Sequence, residues 1–513
     1  MTQVLTHSYR ENERLTKENL KLKDTVVSLK QNNSALNGRV RVLTSENQKL
    51  KETIELKEQI IEELKHEIAH LNALQNHNGT NTGQPTAKTK IGGKKIIPNS
   101  RRSSGKVKGG QKGHPKYSMS APESTDENEI EEHVSSVCPK CESTSIVEYG
   151  EPIIKNEYDV RIRVVKVKHV FYGYKCTDCG RIFHMTIPLN LKENAQYGNG
   201  VQAMILSLIN SDNVPINKIA SFFDGITGGN ITPSEGFIAK VQGRFAVSLE
   251  TFVDDLRLYL IQQSLIYWDD TVIFVNTKRA CLRFYGDEKI SLYKAHEHKD
   301  FQSLQDDEVL HLLTNKNKVM HDHNKVNYNS QFVFENLECN QHLQRDLQKN
   351  TDDIHHTWSS ELKIYISTTI FQRKEMIAQG ATEFPSDKIN EFYNTVDSYL
   401  ELGQKEHEKD IGKYGADFEN ALLLRIKKYQ KNYFSWVEDF SLPTTNNLSE
   451  RALRGIKSHQ KISGQFESIK ASQNFANVKS YIETCRKSGI NEIMSLQRLA
   501  QGKPYTVAEI FKT

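Results

Sequence analysis

Leucine recurs every seventh residue at Leu15, Leu22, Leu29, Leu36, Leu43 and Leu50, and Leu64 and Leu71 resume the phase after Lys57. Four residues after these positions, Lys57 included, stand Asn19, Val26, Asn33, Val40, Asn47, Ile54, Ile61 and Ile68. Leucine at one seam position with β-branched residues or Asn at the other predicts a parallel coiled coil over residues 1–74, and hence a homodimer. Each buried Asn meets its twin only in the correct register, so the amides fix the alignment at some cost in stability. The flanking positions are almost all polar, which argues against a lone amphipathic helix packed on a globular core. Gly38 falls on the outward face, where it weakens the helix without breaking the seam.

The period vanishes after about residue 75. Residues 75–132 are rich in Asn, Gly, Pro, Ser and Lys and read as a linker. Residues 85–117 carry ten Lys or Arg and no acid, and residues 123–132 carry six acids and no base. The net charge of +4 hides this segregation. Lys106, Lys108 and Lys112, spaced by glycines, suit phosphate contact with double-stranded DNA; a plain flexible tether is the alternative. No run of 18 apolar residues occurs and the N-terminus is polar, so a soluble, non-exported chain without membrane contact is expected.

Seven cysteines in 513 residues, four of them in CxxC pairs, point to metal rather than a disulfide framework. Cys138 and Cys141 are separated from Cys176 and Cys179 by 34 residues. Four thiolates fill a tetrahedral Zn²⁺ and leave no open position, so this zinc is expected to be structural. Val160, Ile162 and Val164 alternate with Arg161 and Arg163, which predicts a strand within a zinc-ribbon-like module at 133–192. Residues 193–250 predict short helices broken at Asn213-Val214-Pro215, with Pro233 as the first helical residue of the last one. They suit a helix-turn-helix-like reader or a small packing bundle.

From residue 260 the pattern changes to short apolar runs. Leu265–Trp268 ends in Asp269-Asp270; strands follow at Ala280–Tyr285 and Ile290–His296, then a helix at 301–313. A further run, Lys318–Met320, ends in His321-Asp322-His323. Acids at the tips of buried strands are costly unless they are ligands. This order is that of a ribonuclease-H-like mixed sheet, in which the first and fourth strands are neighbours and their acids meet. Residues 350–440 are rich in helix formers and read as a helical insertion that splits the core into 260–349 and 441–513. The fold class expected is therefore multidomain α/β.

The stretch Thr444-Thr445-Asn446-Asn447-Leu448-Ser449-Glu450-Arg451-Ala452-Leu453-Arg454 opens the second part. Thr445, Asn446 or Asn447 is expected to cap a helix that presents Glu450 in its first turn. Asp269, Asp322 and Glu450 are then catalytic candidates holding two Mg²⁺ or Mn²⁺ ions for in-line displacement at phosphorus. Asp269 is preferred to Asp270 because strand alternation sends neighbours to opposite faces. Arg451, Arg454 and Lys457 are placed to meet the DNA backbone. His321 and His323 are metal or phosphate contacts, or plain loop histidines. Cys339 and His342 are too few for a metal site of their own.

These motifs resemble the insertion-sequence-66 family of bacterial transposases over nearly the full chain. The resemblance rests on the zipper, the Gly109-Gly110-Gln111-Lys112-Gly113-His114 linker, the four cysteines and the three acidic strings. Asp269-Asp270-Thr271 matches the family's first acidic string, with Asp270 where Glu is usual. Asp322 followed by Tyr328 matches the second. Asn446, Asn447, Glu450, Arg451 and Arg454 match the third and most specific. Cys339 and His342 match a Cys-x-x-His element. The resemblance implies a cytoplasmic, nucleoid-associated transposase that cuts and joins DNA at element ends by DDE chemistry, with accessory proteins of the same element as further partners. A decayed DNA-binding regulator, or a nuclease with the same core, is the alternative.

Overall fold

The computed structural model describes residues 2–76, 133–155, 160, 162–188, 191 and 193–512. The linker bearing Lys106, Lys108 and Lys112 lies outside the described residues. The chain divides into two units, residues 1–94 with 338–444, and 95–337 with 445–513. Among the described residues no helix is long and apolar enough to cross a membrane.

In the first unit, α1 (Thr2–Asn76) is one unbroken helix. Thr16, Thr25, Thr44 and Thr53 turn their hydroxyls back onto carbonyls four residues earlier, which keeps them in the helix. Its seam is bare: Leu22 is 61% exposed, Leu29 62% and Leu50 59%. The other helices of this unit are α7 (Asn340–Ile354), α8 (Thr357–Ala378), α9 (Ser386–Lys409), α10 (Ala416–Lys428) and α11 (Gln430–Phe434). Trp358, Trp436, Phe392 and Phe434 fill their core. Gly403 of α9 is required by close approach, since a Cβ there would lie 2.7 Å from Leu423 and 2.8 Å from Trp358.

Glu419 of α10 is fully buried in this core. It accepts hydrogen bonds from Trp358 Nε1 (2.7 Å) and Asn350 Nδ2 (3.0 Å), with His356 Nδ1 at 2.8 Å and His407 Nδ1 at 3.3 Å. The other nitrogen of His356 lies 3.1 Å from Asp410. A ring with a carboxylate at each nitrogen carries both protons. The network therefore joins α7, α8, α9 and α10 through one charge cluster.

The second unit begins with β1 (Gly173–Lys175) and β2 (Ile182–His184), an antiparallel pair flanking the second CxxC. Val160, Ile162 and Val164, expected as a strand, belong to none. Alternation marks a segment fit for a ladder, but the ladder needs a partner, and here the paired residues are 173–175 and 182–184. Next come α2 (Asn199–Asn210), α3 (Ile216–Thr227), α4 (Glu235–Ser248) and α5 (Glu250–Leu260). Asn213 adopts φ +58° at the expected break. Pro233 does not open α4; Ser234 is the N-cap and accepts from Phe237 N at 3.2 Å. A hydroxyl that captures an orphan N–H outweighs the fixed φ of proline in setting that boundary.

The sheet comprises β3 (Leu265–Val275), β4 (Lys278–Gly286), β5 (Ser291–His296), β6 (Lys318–His321) and β7 (Glu335–Glu338) in the order β5-β4-β3-β6-β7. β3 runs antiparallel to β4 and parallel to β6, so the first and fourth strands are neighbours as expected. β3 continues past its aspartates because Thr271–Val275 is strand-forming, and it turns only at Asn276-Thr277, both at positive φ. The acids are therefore not at the tip of β3, although they lie beyond its pairing with β6. The helix expected at 301–313 is shorter: α6 (Phe301–Asp306) starts in a capping box made by Asp300 and Ser303. Glu308 at φ +51° separates it from a 3₁₀ turn at Leu310–Leu312. Buried Asp307 then accepts from Arg283 (3.0 Å) and Tyr285 (2.7 Å), tying α6 to β4.

The C-terminal helices are α12 (Asn447–Ser463), α13 (Ile469–Lys487), α14 (Glu492–Ala500) and α15 (Val507–Phe511). α13 covers the edge strand β5: Ser480 accepts from Tyr293 N (2.8 Å), and Thr484 exchanges bonds with Ser291 N (3.1 Å) and O (3.2 Å). The hydroxyls thus take up backbone groups that an open edge would expose. Asn210 of α2 and Gln242 of α4 exchange two amide bonds of 2.9 Å, and Lys479 of α13 donates to Asn210 O at 3.0 Å. The α2–α4 helices are consequently packed into the same core as α13.

The Glu419 cluster predicts a pH-dependent helical unit. Burial opposes the charged His356 ring, but hydrogen bonds and charge from Glu419, the Asp410 bond and nearby Glu406 outweigh it and raise its pKa above the usual imidazole value. Its contribution should be complete below that usual value and be lost as pH rises through the raised one. The Lys413 hydrogen bond, followed by that from His356, lowers the pKa of Asp410, so its contribution fades as pH falls through the carboxylate range. Glu419→Gln should cost about 3 kcal/mol in denaturant unfolding at neutral pH and flatten the loss on the alkaline side.

Candidate active site

The last paired residues of β3 and β6 are Tyr267 and Met320. Asp269 and Asp322 each lie two positions beyond that pair, so register brings their backbones to the same level of neighbouring strands. Asp269 Oδ1 accepts the N–H of Asp270 at 2.7 Å. Asp270 forms an ion pair with Lys299 at 2.6 Å.

Asp322 follows β6 directly, and its carbonyl is 2.9 Å from His321 Nδ1 and 3.3 Å from Asn327 Nδ2. Carboxylate oxygens of Asp322 and Glu450 lie within 4.8 Å of each other. Asp269 stands outside this close pair. Glu450 sits in the first turn of α12, its side chain 15% exposed and 3.4 Å from Arg454 across one helical turn. The helix N-terminus favours a carboxylate there, and the Arg454 contact is an ordinary i,i+4 pair. Arg451, Arg454 and Lys457 are all exposed.

Asn446 occupies the N-cap position, but neither it nor Asn447 caps the helix with its side chain, contrary to expectation. Asn447 is the first helical residue. The amide of Asn446 is directed elsewhere: Nδ2 donates to Trp268 O at 3.0 Å and to Asp322 Oδ1 at 3.4 Å. Its Oδ1, the atom a cap would use, accepts the Ser449 hydroxyl instead. His321 is no loop histidine: it is buried at the end of β6, and its Nε2 lies 2.7 Å from Asn336 of β7. His323 is half-buried beside the Tyr328 ring, 5.9 Å between centroids. In the other unit, Cys339 and His342 bring sulfur and ring nitrogen within 4.8 Å of each other.

The two CxxC pairs have the local form of thiolate ligands. Cys138 N bonds to Ser143 O (2.9 Å), and Cys176 N bonds to Arg181 O (2.8 Å). Gly180 takes φ +76° in the second turn. Backbone N–H groups of Lys140 and Cys141 lower the pKa of Cys138, and those of Cys179 and Asp178 lower that of Cys176. Such donors are what a metal-bound thiolate requires, so the donor set fits Zn²⁺. Among the described residues the four sulfurs do not form a group within 4.8 Å.

Sequence reasoning missed β7 and the cross-strand role of Asn446. For the second, the available signal was an Asn pair directly before the helix that carries Glu450. No comparable signal marks β7, whose residues Glu335–Glu338 lack strand alternation.

The class this α/β architecture and its acidic pair define is resolved by comparison. A model described as the Transposase IS66 family matches residues 194–474, more than half of the sequence. The chain belongs to the IS66 transposase family, a class of DNA-binding and DNA-cleaving enzymes. No curated protein matches it.

Proposed function

We propose that the chain cleaves and joins DNA strands at the ends of an insertion sequence, using divalent cations held by Asp269, Asp322 and Glu450. The observation that supports this best is the approach of Asp322 and Glu450 to within 4.8 Å, at the level of Asp269 on the neighbouring strand. Two carboxylates in such contact repel each other unless a proton or a cation lies between them. The order β5-β4-β3-β6-β7 supports reading the sheet as ribonuclease-H-like. Oxygen ligands suit Mg²⁺ or Mn²⁺. When bound, such ions activate an attacking hydroxyl and stabilise the leaving oxygen.

The protein's own part is to hold its acids on rigid elements and to seat the DNA. Asp269 is carried by β3, Asp322 by the residue directly after the neighbouring β6, and Glu450 by the first turn of α12. Exposed Arg451, Arg454 and Lys457 meet backbone phosphates, with Lys106, Lys108 and Lys112 as a second contact. Asp322→Asn or Glu450→Gln should reduce cleavage of element ends at least a thousandfold while leaving DNA affinity within about threefold. Variants that still cut would remove the DDE reading. Wild-type binding without scission would favour a regulator, and scission without joining a nuclease.

A structural Zn²⁺ held by Cys138, Cys141, Cys176 and Cys179 completes the module at 133–192. Cys176→Ser should lower zinc from one ion per chain to none by elemental analysis and unfold the β1–β2 pair.

The bare seam of α1 is proposed to pair with that of a second copy. A buried leucine contributes about 2 kcal/mol, and the seam repeats through most of the helix. Removing residues 1–74 should therefore convert a sedimenting dimer to a monomer. An unchanged mass would place the main interface elsewhere.

A further inference from the structure

We infer that Asn446 is a positioning residue whose amide sets the geometry of the two aspartates beside the helical turn that carries Glu450; this rests on the two-metal reading above. Asn446 is completely buried. Its Nδ2 donates to the carbonyl of Trp268, the residue before Asp269, at 3.0 Å, and to Asp322 Oδ1 at 3.4 Å. Its Oδ1 accepts the Ser449 hydroxyl, and its main-chain oxygen accepts the N–H of Glu450 at 3.2 Å. One residue thus touches the backbone behind the first acid, the carboxylate of the second and the helical turn of the third.

The amide orientation follows from its neighbours. Trp268 O can only accept, and the carboxylate accepts, so the NH₂ group must face them. Ser449 then supplies the donor that the amide oxygen needs. A neutral donor fixes the Asp322 rotamer without cancelling the charge a cation requires, which Lys or Arg at 446 would do. Asp could not donate to either oxygen, and Ser or Ala would not reach them. The side chain makes no hydrogen bond to the helix N-terminus, so capping does not account for an Asn here.

The test uses the full chain and Mn²⁺ as probe. Asn446→Ala should weaken Mn²⁺ binding, measured by electron paramagnetic resonance, about tenfold to a hundredfold. At limiting Mn²⁺ the cleavage kcat should fall with KM for DNA unchanged, and high Mn²⁺ should recover part of it. Ser449→Ala, which removes the bond that orients the amide, should give a smaller loss of the same kind; it decides the matter if the first variant fails to fold. Folded variants with a lower Tm but normal Mn²⁺ affinity and kcat would overturn the inference. Asp322→Asn run in parallel separates the two readings. If it too leaves Mn²⁺ binding and cleavage intact, the metal site itself is wrong; if it abolishes both, only the role of Asn446 fails.

Discussion

Three parallel pairings, Leu265 with Lys318, Ile266 with Val319 and Tyr267 with Met320, set the position of everything around the acids. Parallel strands need a long crossover, here occupied by β4, β5 and α6. A slip of one residue in this register would turn Asp322 to the opposite face and bury a charge against the core. Register is held from both sides. Asn317 donates to Ile261 O (3.1 Å) and Gln263 O (2.8 Å) below the pairing, and Asn446 bonds Trp268 O above it.

The same logic of polar groups buried with their partners recurs through the second unit. Arg283, Asp307 and Tyr285 lock α6 to β4; Ser480 and Thr484 close the β5 edge; Asn210, Gln242 and Lys479 bind the early helices to the late one. Each would be expensive if half satisfied. Together they explain why residues some 200 positions apart share one core. The first unit uses Glu419 in the same way, with two histidines and an indole as partners.

Much of this was legible because it is local. The heptad of α1 predicts a helix, and Thr2–Asn76 is one. Apolar runs ending in acids gave β3 and β6 and their adjacency. Glu450 sits in the first turn of α12 as its motif predicts. What failed depended on partners distant in sequence. Val160, Ile162 and Val164 alternate with basic residues like a strand, yet join no ladder among the described residues. Asn446 looks like a cap and serves as a clamp, because its acceptors, Trp268 and Asp322, lie 178 and 124 residues away. His321 reads as a metal or phosphate contact or a loop histidine, yet it ends β6 and is buried beside Asn336. Nothing near Glu419 in sequence announces its buried partners Trp358 and His356.

The separation of Asn446 from Asp322 also has a meaning in time. The ribosome completes β3 to β7, and then the whole helical unit, before the clamp and Glu450 emerge. A nascent or truncated chain ending within the helical unit therefore carries Asp269 and Asp322, but neither Glu450 nor the Asn446 amide. The segment that brings Glu450 also brings α13, which closes the β5 edge. Glu450 and the cover of the β5 edge therefore arrive together, after the helical unit.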